Sequence, residues 1–147
     1  MSKLIIIFGL FLIVIASFAF YQFNNNQTAQ VKANGKVTIG NHIINVEVVK
    51  DPKAQQIGLT KYPALKEDQG MLFVFDRPDS YGFWMRDMKF PIDIIWVDNN
   101  YNIVDVKENA EPCADKCEVY SPGKEAMYVL EVNINSGIMP GDRVEIK

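Results

Sequence analysis

Histidine and cysteine are scarce: one histidine, His42, and two cysteines, Cys113 and Cys117, in 147 residues. Two thiols and one distant imidazole cannot complete a four-ligand zinc site. The C-x-x-x-C spacing is not the C-x-x-C of redox enzymes. His42 lies beside a turn and reads as a solvated hairpin residue rather than a ligand or base. Nothing supplies a Ser-His-Asp set or a glycine-rich phosphate loop. Basic charge is also short, with 15 basic against 18 acidic side chains. Lys3 and Lys32 are the only charges before Ala33, so the rest of the chain is more acidic still. A nucleic-acid partner is not expected, because its binders display basic patches. No cofactor and no metal are expected either. Met85 and Met88 have the spacing and softness for Cu(I). Yet Met71, Met85 and Met127 fall in apolar strands, where methionine fills gaps in a core.

From Leu4 to Phe20 there is no charge at all, and Ser17 is the one polar side chain. A helix of that length spans about 25 Å, slightly short of a ~30 Å hydrocarbon core. Tyr21 suits the interface, and no polar face marks the segment as a core helix. Ser17 and Ala19 would allow signal cleavage after Ala19, but the run exceeds the usual ~7–15 residue signal core. Residues 1–21 therefore read as a transmembrane anchor, with the membrane as a partner through residues 4–20 and the domain outside the cytoplasm. Secretion after cleavage near Ala19 is the alternative. Residues 22–35 are polar and Asn- and Gln-rich, and read as a flexible linker.

The folded domain is predicted over 36–147. Gly40-Asn41 between β-rich runs signals a hairpin, with Gly40 at positive φ. Asp51-Pro52 starts a short helix, as N-cap and first helical residue. Leu59 and Leu65 plug the core from the loop that follows. Strands are predicted over 70–75, 81–86, 92–98, 101–107, 126–133 and 143–146, with a charged turn over 76–80 and one helical turn over 135–139. Seven or eight short strands and one short helix predict a mainly β domain, a small barrel or sandwich.

Four runs carry a family resemblance: GLTKYPALKEDQGMLFVF, YGFWMRDMKFPIDIIWVD, CADKCEVYSPGKEAMYVLEVNINSG and GDRVEI. In this order they resemble the family known as domain of unknown function 192, from about Val46 to Ile146. The resemblance implies a compact, mostly β bacterial or archaeal domain, often behind an export or membrane segment, and no agreed activity. Two departures stand out. Thr60 replaces the usual Met, and Asp87-Met88 replaces the usual Asn-Thr. A ligand site built on that Asn-Thr pair would be altered here.

Cys113 and Cys117 are predicted to pair, as two near cysteines in an exported protein do. The carboxylates carry the remaining chemistry. Asp93 shares a strand face with Ile95 and Val97, and Glu131 shares one with Met127 and Val129. A carboxylate on an apolar face must be paired, hydrogen-bonded or pushed toward protonation. A hairpin of 81–86 with 92–98 would set Arg86 opposite Asp93 as a register-fixing ion pair. The functional expectation is a membrane-tethered, non-catalytic binding or accessory module for a glycan or envelope protein. Its ligand would lie beside Trp84 and Arg86, with Asp87 and Asp93 at the polar edge. The alternative is a carboxylate-dependent hydrolase using Asp93 and Glu131.

Overall fold

Turn and cap chemistry starts the fold, and the structure, a computed structural model, describes residues 13–17 and 31–147. Gly40 takes φ 56°, turning β1 (Gly35–Ile39) back onto β2 (His42–Val49). Glycine reaches that conformation without a Cβ clash. Asp51 Oδ1 accepts from the N–H groups of Lys53 and Ala54, both at 3.0 Å. Pro52 opens helix α1 (Pro52–Ile57). Gly58 at φ 53° ends it, and a 3-10 turn follows over Gly58–Lys61. Leu59 and Leu65 are buried, as plugs should be.

Five further strands follow: β3 (Gln69–Asp79), β4 (Ile92–Val97), β5 (Ile103–Ala110), β6 (Ala126–Asn133) and β7 (Val144–Ile146). The sheet order is β5-β4-β6-β3-β2-β1-β7. Only β2 and β3 run parallel, and α1 lies in their crossover. The two edges meet where the Ile103 N–H donates to the Asp142 carbonyl and the Val144 N–H to the Tyr101 carbonyl, both at 2.9 Å. The sheet is thereby curled into a half-barrel.

Side chains alternate between two cores. The inner face gathers Val37, Ile44, Leu72, Ile95, Leu130 and Val144 from both ends of the sheet. The outer face carries Met71, Phe73, Ile94, Trp96 and Val129, with Leu59, Leu65 and Met85 packed onto them from the loops. With both faces covered, every residue of β4 is buried, which is why its sequence is apolar almost throughout.

Several expectations need correction. Residues 81–86 are not a strand and make only isolated bridges, Phe83 to Tyr120 and Arg86 to Cys113. β4 is flanked by β5 and β6 instead. The doubly apolar β4 takes a central place, whereas 81–86 carries exposed Trp84 and Arg86 and closes over the outer face. Gly82 fits this path because a Cβ there would lie 2.7 Å from Val119 Cγ1. β3 continues through Asp79, across the predicted turn. Residues 135–139 form no helix.

The predicted transmembrane helix is also corrected. Among the described residues no helix is long and apolar enough to cross a membrane. Of the segment 4–20 the structure describes only 13–17, which are helical and rise about 7.5 Å, against a ~30 Å core. The rest of that expectation lies outside the described residues. Membrane tethering, the membrane as a partner and a membrane-anchored location are therefore not retained. In the predicted linker, residues 22–30 lie outside the described residues. Val31 is buried, and the Asn34 N–H donates to the Val46 carbonyl at 3.0 Å, so packing begins before Lys36.

Candidate functional site

Alternation along two adjacent strands decides where the carboxylates go. In β6, Val129 and Glu131 face outward while Leu130 and Val132 face inward. In β4, Ile92 and Ile94 face outward, which turns Asp93 inward with Ile95. Asp93 and Glu131 therefore leave neighbouring strands toward opposite faces. The predicted two-carboxylate cleft is not assembled.

Asp93 is 1% exposed and fully engaged. Its Oδ1 accepts from the Asn109 N–H at 2.9 Å, and its Oδ2 from the Ser136 N–H at 3.0 Å and the Ser136 hydroxyl at 2.8 Å. It ties the end of β5 and the loop after β6 to β4. Arg86 is not among its partners.

Glu131 is 5% exposed, and among the described residues its buried Oε2 has no hydrogen-bond partner. Its cross-strand neighbours are Met71 and Ile94, both buried. Burial among such groups penalises the charged form and pushes the carboxyl up to about 8. Glu131 lines a cavity of about 250 Å³ on the outer face. Phe73 and Phe75 of β3 form one wall, Leu59 and Thr60 of the 3-10 turn another, and Tyr81, Phe83, Trp84, Arg86 and Met88 close the third. Aromatic contacts hold that third wall. Phe83 meets Phe73 edge-on at 4.9 Å between centroids, Tyr81 stacks on Phe75 at 3.5 Å, and the Trp96 Nε1–H donates to the Tyr81 carbonyl at 2.8 Å.

The cysteine loop braces the same wall. Cys113 and Cys117 form the predicted disulfide, with Cα atoms 5.5 Å apart. Phe83 and Tyr120 exchange two backbone bonds of 2.8 Å, and the Cys113 N–H donates to the Met85 carbonyl at 3.1 Å.

Trp84 is 49% exposed at the rim. One face of its ring is covered by the Arg86 guanidinium, 4.4 Å from the centroid. Arg86 is exposed and makes no ion pair among the described residues. Asp87 is exposed beside it at φ 60°. Asn and Asp tolerate that left-handed conformation best among non-glycine residues. Of the proposed binding set, Trp84 and Arg86 line the cavity, Asp87 stands next to it, and Asp93 lies on the other face. Thr60 and Met88 both line the cavity. The aromatic walls from Phe73, Phe75, Tyr81 and Phe83 were missed as site residues; the density of aromatics in LFVF and YGFW was the available signal. Among the described residues no cluster of His, Cys, Asp and Glu is suited to a metal ion.

The profile of the family DUF192, described as "Uncharacterized ACR", matches residues 34–146. A solved protein of unknown function from Novosphingobium aromaticivorans is 31% identical, with the match covering 75% of this chain and 83% of that one at a TM-score of 0.67. A provisionally named transcription regulator from Sinorhizobium meliloti is 28% identical over 80% of this chain and 97% of its own, at a TM-score of 0.71. No curated protein matches the chain.

Proposed function

The chain belongs to the DUF192 family, and on that footing we propose that it is a hydrolase whose single catalytic carboxyl is Glu131. The observation that carries this reading is a buried carboxyl whose Oε2 has no partner among the described residues, on a residue that lines an open cavity. Structural carboxylates are hydrogen-bonded when buried, as Asp93 is. With its pKa raised to about 8, Glu131 holds its proton at neutral pH and acts as a general acid. It gives that proton to the leaving oxygen of a bound ester or acetal while water adds to the electrophilic carbon. The proton lost by the attacking water then restores the acid. Asp93 takes no part, because it faces the inner core. The regulator name of the Sinorhizobium meliloti relative is not carried over, since the acidic balance here offers no footprint for DNA.

The test is hydrolysis of a panel of chromogenic aryl esters and glycosides by wild type and Glu131→Gln. Turnover should fall at least about 100-fold in the variant, the usual scale of general acid catalysis. It should decline in wild type as pH rises through about 8. Equal turnover in the two proteins would overturn the proposal, as would no turnover of any substrate.

A further inference from the structure

The cavity has a polarity that its walls define. Among the described residues that line it, Arg86 is the sole cation and Glu131 the sole acid. Arg86 is exposed at the rim and Glu131 is buried, so the two mark the outer and inner ends of one space. Between them the surface is largely aromatic and apolar. An apolar cavity of about 150 Å³ accommodates benzene. A cavity of about 250 Å³ therefore has room for one ring with short substituents.

We infer that the site takes a single-ring organic carboxylate, with the ring among Phe73, Phe75 and Phe83, the carboxylate on the Arg86 guanidinium, and a hydrogen-bonding group on the Glu131 carboxyl. This rests on the pocket reading above and narrows its substrate. Three features support the anion. The Arg86 fork of donors has no carboxylate partner among the described residues, and its planar shape matches a carboxylate in two parallel bonds. Stacking on Trp84 holds that fork in place before any ligand arrives. A protonated Glu131 contributes no opposing charge at the inner end, and Asp87, exposed beside Arg86, is not part of the lining.

Calorimetric titration of the whole chain with 3-phenylpropionate, its amide 3-phenylpropionamide, and acetate tests this. The ring carboxylate should bind at least about tenfold tighter than either the amide or acetate, and its affinity should fall with added salt while that of the amide does not. Arg86→Gln should bind acid and amide alike, with melting lowered only slightly, because the exposed side chain gives up little beyond its contact with Trp84. Equal affinity of acid and amide in wild type overturns the inference, as does discrimination that survives Arg86→Gln. If acid and amide bind equally while Glu131→Gln still abolishes hydrolysis, the anion assignment falls and the hydrolase stands. If the acid is selected but Glu131→Gln hydrolyses normally, the anion assignment stands and the hydrolase falls.

Discussion

Asp93 and Glu131 leave adjacent strands toward opposite faces of one sheet, and both are buried. On the inner face Asp93 meets two backbone N–H groups and a hydroxyl, brought there by the end of β5 and the loop after β6. On the outer face Glu131 sits between Met71 and Ile94 and looks into a cavity. The same side-chain chemistry is a structural tie in one place and, in the other, a buried acid whose Oε2 has no partner among the described residues. What separates them is the donors that the rest of the chain delivers.

The comparison is broken most severely at Asp93. Asp93→Ala should destabilise the protein by roughly 3–5 kcal/mol, because it strands buried donors that had a charged acceptor. Urea unfolding of the variant measures this, and a loss under about 1 kcal/mol would show the three bonds to be dispensable.

Glu131 should behave in the reverse sense. Its folded pKa lies near 8, above the ordinary value of 4.5, so the native state holds the proton more tightly than the unfolded chain. Its contribution is then neutral below about pH 4 and becomes a penalty as pH rises from there toward 8, where it levels off. Glu131→Gln should accordingly gain stability relative to wild type between pH 5 and pH 8, by an amount on the order of a few kcal/mol. Parallel pH dependences of the two proteins in thermal melts would refute the raised pKa.

A smaller effect is expected at the wall that separates Glu131 from solvent. Cys113→Ser with Cys117→Ser should cost about 2 kcal/mol, the chain-entropy value for so short a loop. Because that loop bonds to Phe83 and Met85, amide exchange should quicken over 82–87 and leave β4 unchanged. Faster exchange in β4 as well would mean that the loop supports the sheet itself.

The smallest effect is expected at Trp84, where truncation to Ala should cost at most about 1 kcal/mol, mainly the lost contact with Arg86. Trp96→Ala, in the outer core, should cost roughly 3–5 kcal/mol. Comparable losses in chemical denaturation would place Trp84 in the core after all.

Much of this arrangement was legible before any fold was known. The alternation of Ile92, Asp93, Ile94 and Ile95 already set the carboxylate apart from its neighbours, and the same holds for Glu131 after Leu130. The Arg86–Asp93 pairing failed because it required 81–86 to be a strand beside β4. Tyr81, Phe83 and Met85 alternate as a strand would. Yet these residues cap the outer core as a loop, with Tyr120 and Cys113 as their backbone partners.

Sequence by itself determined the features that depend on near neighbours. They are the Gly40 turn, the Asp51-Pro52 helix start, the Cys113–Cys117 bridge and the facing of residues within each strand. Each is set by φ/ψ preference or by spacing of a few residues, so no distant partner is needed. Only the tertiary structure decided the sheet order, which puts β6 between β4 and β3. It also decided that Asp93 meets Asn109 and Ser136, and that Glu131 meets an aromatic cavity. These depend on contacts between segments far apart in the chain, where alternation reports that a residue points away from its neighbours but not what awaits it there.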